Sequence, residues 1–291
     1  VGFHLSALYS PPGWFSWGDV AQEAIGAKGN AEKAKTFTNT VLGETFADVA
    51  AGPDWRRLAE RAESYAPGTV PAGAAVLVAG IDTQDDRLEV EIVGLGPGME
   101  SWSVDFRTLP GAPDQADVWH QLDEVLAEHF AHEAGGTATI ARAAIDVGGH
   151  FQSDVLSWAM KQPSDRVLAV KGRDNLAQPI GAATVTDINT RTGRTKKRGG
   201  RIWPVGSSML KGRIYSWLMQ DAPRGDEPTP FGYCHFPKYD DEYFKQLTAE
   251  RKVKRKNRQG YIKFEWEKVR ERNEALDCRV YAMAAAETLR L

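Results

Sequence analysis

The stretch VLVAGIDTQDDRLEVEIVGLG, Val76–Gly96, decides the fold. Its first seven residues, Val76–Asp82, are an apolar run closed by a carboxylate, the pattern of a short strand buried on both faces. The segment Thr83–Asp86 is turn chemistry, and Arg87–Gly96 then alternates polar with apolar side chains as a half-buried strand does. Ser101–Leu109 (SWSVDFRTL) reads as a third strand after another short turn. Short connections favour antiparallel pairing, so a meander is expected.

Reading outward toward the C-terminus, the loop Pro110–Asp117 precedes a predicted helix of about 16 residues ending near His132, with Val118, Leu122, Val125, Leu126 and Phe130 on one face. The strand Ala138–Asp146 (ATIARAAID), a helix over Gln152–Lys161 and the strand Arg166–Gly172 come next, a spacing that implies parallel neighbours joined by crossovers. The expected class is therefore α/β, with a mixed sheet of antiparallel meander and parallel strands flanked by helices. Further on, a β excursion spans Thr184–Pro204 and a helix, capped by Ser207 or Ser208, spans Ser207–Met219. Another helix covers Asp240–Glu250, a hairpin uses Tyr261–Glu267, and a last helix runs over Glu274–Leu291 with Asn273 as N-cap. Upstream, residues 1–71 read as a linker or docking extension, with helical stretches over Asp19–Ala27 and Trp55–Glu63. The Pro/Gly-rich boundary Tyr65–Gly73 assigns the domain to 72–291.

The 291 residues are 42% hydrophobic and 26% charged, ordinary globular usage, and no apolar run approaches the ~18–20 residues of a membrane span. The net charge of −3 would by itself argue against a nucleic-acid partner. It is an average over an uneven distribution. Arg191, Arg194, Lys196, Lys197, Arg198 and Arg201 lie in a segment without an acid, as do Arg251, Lys252, Lys254, Arg255, Lys256 and Arg258. Setting those twelve aside leaves 24 basic against 39 acidic residues, an acidic body with two cationic arms. A run of charge is usually a solvated face. Two such runs on projecting β elements favour contact with phosphates, salt-sensitive and indifferent to sequence. Cys234 and Cys278, far apart and without a leader sequence, fit a reducing compartment better than a disulfide framework. A first residue of Val rather than Met suggests a piece of a longer protein.

Three aspartates occupy positions suited to chemistry. Asp82 and Asp146 each end an apolar strand, and open α/β sheets place their sites at such ends. Asp277 lies near the start of the last helix, with Val280, Tyr281 and Ala284 at helical spacing beside it. Clustered buried carboxylates repel one another, a conflict that a divalent cation resolves. Each also has a plainer reading: Asp82 and Asp146 as turn formers, Asp277 as a helix-dipole partner. His150 is a candidate accessory ligand or proton shuttle, or a structural histidine. Lys171 reads as a snorkelling side chain. No GxxxxGK[ST] motif occurs, so ATP hydrolysis by a P-loop is not expected of this chain.

The blocks HLSALYSPPGWFSW (His4–Trp17), FTNTVLGETF (Phe37–Phe46), AGIDTQDDRLEVEIVG (Ala79–Gly94), AIDVGGH (Ala144–His150), AVKG (Ala169–Gly172), HFP (His235–Pro237), YFKQLTAE (Tyr243–Glu250) and RNEALDCRVYAMAA (Arg272–Ala285) resemble the C-terminal part of the large terminase subunit of lambda-like tailed phages, the GpA family. The resemblance implies a ribonuclease-H-like nuclease domain that follows a packaging ATPase absent from this chain and cuts concatemeric double-stranded viral DNA in the bacterial host cytoplasm. The small terminase subunit and the portal are the implied partners. It also implies Asp82, Asp146 and Asp277 as catalytic, metal-binding acids for Mg²⁺ or Mn²⁺. On that reading Asp82 bridges two ions, while Asp146 and Asp277 each complete one coordination sphere. One departure stands out: where the family carries a VGTDxxK-like stretch, this chain reads PVGSSMLKGR (Pro204–Arg213), without the acid. Two alternatives stay open, a DNA-gripping or assembly module with a vestigial site, and another ribonuclease-H-like enzyme such as a transposase or junction resolvase.

Overall fold

The computed structural model describes residues 5–28, 31–44, 52–189, 195–223, 225–256 and 262–289. Numbered along the chain, the helices are α1 (Trp17–Ala27), α2 (Ala31–Thr36), α3 (Trp55–Glu60), α4 (Ala116–Ala127), α5 (Gln152–Ala159), α6 (Ser207–Leu218), α7 (Asp241–Leu247) and α8 (Glu274–Glu287). The strands are β1 (Thr69–Val70), β2 (Val76–Thr83), β3 (Arg87–Leu95), β4 (Ser101–Pro110), β5 (Phe130–His132), β6 (Thr137–Ala138), β7 (Ile140–Asp146), β8 (Val167–Gly172), β9 (Thr184–Asn189), β10 (Thr195–Val205), β11 (Cys234–His235), β12 (Glu250–Lys256) and β13 (Ile262–Lys268).

Among the described residues the main sheet has the order β11-β4-β3-β2-β7-β8-β10-β9. β2, β3 and β4 form the expected antiparallel meander, and β7, β8 and β10 continue from β2 in parallel. Meander first, then β7 and β8 reached through α4 and α5, is the mixed-sheet arrangement expected from the sequence, while β10 is reached through β9. The side-chain period of two divides the strands between two cores. Val78, Val93, Ala144, Leu168 and Val170 face α6, α7 and α8, while Leu77, Ala79, Ile81, Ile92, Ala143 and Ile145 face α4 and α5. Helices on both sides explain why the run Val76–Asp82 is apolar without a break.

The alternation in β3 has a different meaning from the one expected. Glu89 and Glu91 are fully buried, because α8 covers the face they occupy. Arg279 of α8 donates to Glu91 at 3.1 and 2.5 Å, and Tyr243 and Ser103 hydroxyls donate to the same carboxylate at 2.6 and 2.8 Å. Glu89 accepts from Arg87 at 2.8 Å, Thr108 at 2.6 Å and Arg272 at 3.0 Å. A buried carboxylate left without such partners costs about 3–5 kcal/mol, so these bonds fix how α8 lies on the sheet.

Other boundaries shift for local reasons. α4 stops at Ala127 rather than near His132, and Phe130 becomes the first residue of β5, paired in parallel with β1 and antiparallel with β6. The edge that captures β5 comes from the stretch read as linker: α3 places Leu58 in the core, and Glu63 N donates to Phe236 O at 2.8 Å. Gly206, not Ser207 or Ser208, is the N-cap of α6; the Ser207 hydroxyl donates to Asp174 at 3.2 Å instead. Asn273 does sit at the N-cap of α8, but its side chain does not cap. Near the start of the described chain, Ser16 and Asp19 form a reciprocal capping box on α1.

β2 and α8 meet backbone against backbone at Gly80. A Cβ added to Gly80 would sit 1.8 Å from the carbonyl oxygen of Cys278 and 2.5 Å from the amide nitrogen of Ala282. Backbone cannot yield to that, so Gly80→Ala must push the helix off the sheet. We expect a loss of about 3 kcal/mol, the upper end for overpacking, seen as a fall in Tm of roughly 10 °C. Gly212→Ala, in α6 with open space at the added carbon, is expected to leave Tm unchanged or slightly raised, as thermal unfolding by circular dichroism will show.

Candidate active site

Parallel pairing of β2 with β7 runs in register to Ile81 opposite Ile145, and the next residue on each strand is an aspartate. Asp82 and Asp146 therefore emerge side by side at the carboxyl ends of adjacent parallel strands, where such sheets build their sites. Asp82 is two residues beyond Gly80 and shares its face. Asp277 immediately precedes Cys278, whose carbonyl lies against Gly80. One backbone contact thus brings the third aspartate to the first two.

Each carboxylate is held. Gln84 Nε2 donates to Asp82 at 2.6 Å, and Asp82 is 5% exposed. Asp146 accepts the Gly148 amide at 2.9 Å and the Tyr281 hydroxyl. Asp277 accepts Asn273 Nδ2 at 2.7 Å and faces Lys211 Nζ at 3.1 Å. Burial, then the charges of Asp277 and Asp146, hold the Asp82 carboxyl well above its ordinary value. Burial pushes Asp146 up to about 6 despite its hydrogen bonds from Tyr281 and Gly148. Burial also raises Asp277, against the pull of Lys211 and with a push from Glu250. The Tyr281 hydroxyl is raised by burial and by all three aspartates, so it stays a donor.

Several residues around this cluster carried no signal of their own in the sequence. Glu250 is buried and accepts from Lys211 at 2.7 Å and from Asn273 at 2.8 Å; Lys268 donates to Asn273 at 2.6 Å. Part of the pattern was visible: Asn273, Asp277 and Tyr281 recur every four residues, one side of α8. His150 is not among the hydrogen-bond partners of the three aspartates; its exposed ring lies 3.2 Å from Asp85. Lys171 is half-buried, with Nζ 3.5 Å from Gln152.

The cationic arms divide. Lys196, Lys197, Arg198 and Arg201 are exposed on β10, while Arg191 and Arg194 lie outside the described residues. In the β12–β13 hairpin, Arg251 pairs with Glu267 at 2.9 Å, and Arg255 with Glu267 at 3.0 Å and Glu265 at 3.6 Å. Lys252 and Lys254 are on the other face, 5.5 and 5.8 Å from the centre of the Phe264 ring. Arg258 and the side chain of Lys256 lie outside the described residues.

Among the described residues no three His, Cys, Asp or Glu side chains are gathered as a preformed metal cage. The three aspartates lie close enough to act on one another through their charges, Asp277 and Asp146 on Asp82 and Asp277 on Asp146. Pairs of carboxylate donors without nitrogen or sulfur suit a hard cation such as Mg²⁺ or Mn²⁺, which keeps waters in the remaining positions.

The raised carboxyl of Asp146 has a consequence for the metal-free protein. Its folded-state value of about 6 lies above the 3.8 of an unstructured aspartate, so the folded chain takes up this proton first as pH falls. Its contribution to stability is fully present below about 3.8 and lost as pH rises through about 6. At pH 7.5 the penalty is about 3 kcal/mol. Asp146→Asn is expected to raise Tm by several degrees at pH 7.5 in EDTA, with the gain vanishing near pH 4 in thermal melts across that range.

Comparison with known proteins bears on the whole chain. The family description "Terminase large subunit gpA, endonuclease domain" matches residues 1–291. The chain is similar to the large terminase subunit of Escherichia phage lambda, 36% identical over 98% of this chain and 43% of that protein. It is similar in the same way to the large terminase subunit of Enterobacteria phage P21, 32% identical over 98% of this chain and 43% of that one. The chain thus spans less than half the length of these curated relatives. Among solved structures, it has a TM-score of 0.35 and 14% identity to the large terminase nuclease from thermophilic phage G20c, covering 72% of this chain and 81% of that one.

Proposed function

This chain belongs to the gpA large terminase subunit endonuclease-domain family, and from that premise we propose that it cuts concatemeric double-stranded phage DNA by metal-dependent phosphodiester hydrolysis. The observation that carries the reading is the gathering of Asp82, Asp146 and Asp277, three carboxylates raised by burial, at the strand ends. Among the described residues Asp82 has no ion-pair partner. Burial there disfavours its ionised form, a cost that a bound cation would offset.

Bound at this site, two Mg²⁺ or Mn²⁺ ions would supply a water of lowered pKa and stabilise negative charge on the leaving 3′-oxygen. Asp82, Asp146 and Asp277 would hold them. Gln84 orients Asp82, and Tyr281 and the Gly148 amide orient Asp146. A cleft of about 360 Å³ adjoins the cluster, lined in part by Ser208, Lys211, Glu250, Trp266 and Lys268. Along β12 the period of two puts Lys252 and Lys254 on the same face as Glu250. That face runs outward from the acids and presents two ammonium groups beside Phe264. We read it as the path of one DNA strand, with the exposed basic residues of β10 as a second contact. The packaging ATPase, the small terminase subunit and the portal would bring the DNA to this domain in the host cytoplasm.

Asp82→Asn is expected to abolish plasmid cleavage in Mn²⁺ while leaving duplex binding measurable by gel shift; cutting at the wild-type rate would overturn the assignment. A wild-type chain that binds DNA but never cuts it with any divalent ion would favour the vestigial module. Preference for branched junctions over plain duplex would favour a resolvase.

The arms give a second test. Lys252→Gln with Lys254→Gln should weaken binding similarly for unrelated duplexes and reduce the slope of log K against log salt by about 2. Arg251→Gln should change that slope less, because Glu267 already offsets its charge. Equal slopes for both variants would remove the hairpin face from the path.

A further inference from the structure

We propose that Lys211 is a positioning residue for Asp277, fixing that carboxylate for a divalent cation from a different helix. The proposal rests on the reading of Asp277 as a metal-binding acid. Lys211 lies in the second turn of α6, and its side chain is 13% exposed. Its Nζ donates to Glu250 Oε1 at 2.7 Å and approaches Asp277 Oδ1 at 3.1 Å. Asn273 Nδ2 bridges the same two acids from the other side, at 2.8 Å to Glu250 and 2.7 Å to Asp277. The orientation of that amide is set in turn by Lys268, which donates to its carbonyl oxygen at 2.6 Å.

Each oxygen of Asp277 thus receives one hydrogen bond and keeps a lone pair for a cation. Its rotamer is fixed before any ion arrives. Glu250 anchors the device rather than sharing the ion: Tyr215 clamps its backbone, donating to the carbonyl at 2.8 Å and accepting from the amide at 3.1 Å. The segment GSSMLKGR (Gly206–Arg213), which lacks the family's acid, therefore contributes to the same site through a cation that orients an acid elsewhere.

Two effects of Lys211 on a nearby cation oppose each other. Its positive charge repels the ion, while its hydrogen bond orients the ligand. Lys211→Met alone changes both, so the decisive variant is Lys211→Met with Glu250→Gln, which removes one charge of each sign and leaves the net charge of the cluster unchanged. That pair also avoids leaving the Glu250 carboxylate, the more deeply buried of Lys211's two partners, without its cation, a threat to folding in the single variant. Binding of Mn²⁺ to the full chain, read from the electron paramagnetic resonance of free Mn²⁺, is the measurement, alongside Tm. We expect about 10-fold or greater loss of affinity at one site, the usual consequence of losing a partner behind a metal ligand, with Tm within a few degrees of wild type. Lys211→Arg, which keeps a donor and a charge, should recover part of the loss. If the double variant binds Mn²⁺ within threefold of wild type while Asp277→Asn loses a site, Lys211 is structural only. If Asp277→Asn itself binds as wild type, the metal-site reading fails instead.

Discussion

The contact between Gly80 and the carbonyl of Cys278 governs the rest of the molecule. A strand and a helix ordinarily meet through side chains; here they meet through backbone, and no residue with a Cβ fits between them. Bringing α8 this close has a geometric result. Asp82 lies two residues along the strand and Asp277 one residue back along the helix, so the two carboxylates are drawn to one place by atoms that carry no charge. Small residues on α8, including Ala275, Ala282 and Ala284, let the rest of the helix follow the sheet.

Apolar packing alone would leave the helix free to slide along a flat sheet face. The buried pair of Arg279 with Glu91, the bond from Arg87 of β3 to Glu274 of α8 and the bond from Arg272 to Glu89 prevent that. Arg279 is two residues past Asp277, so any slip that moved the aspartate would also strand a guanidinium among apolar atoms. Cys278 adds a thiol bond to Glu89 O at 3.1 Å. The polar core of this face is best understood as register control for a functional helix, because replacing such pairs with apolar side chains need not cost stability.

The order of strands and helices was legible in the sequence because it rests on periodicity, and β2, β3, β4, β7 and β8 lie where that pattern placed them. Burial was less legible. The alternation of β3 is the same whether its glutamates meet water or arginines, and only α8, nearly 200 residues later, decides which. β5 was misread as helix because its partner strand comes from residues 69–70, a pairing that no local pattern reveals. The three aspartates could be picked out singly, each at the end or start of an element. What holds them could not: Lys211, Glu250 and Asn273 come from three elements, and Asn273 looked like an ordinary cap.

Charge was legible in amount but not in arrangement. Twelve basic residues in two runs marked two arms, yet a strand sends alternate side chains to opposite faces, and the partner strand decides what each face meets. β13 brings Glu265 and Glu267 to the face of Arg251 and Arg255, and Phe264 and Trp266 to the face of Lys252 and Lys254. One face becomes a surface of ion pairs, with Arg251, Arg255 and Lys263 set against Glu265 and Glu267. Exposed pairs of this kind contribute little to stability, so their main effect is to remove charge from that side. The other face keeps its lysines beside an aromatic ring and begins at Glu250, next to the acid cluster. The hairpin thus offsets much of the charge on one face by ion pairs and leaves Lys252 and Lys254 exposed on the other, the face that begins at Glu250.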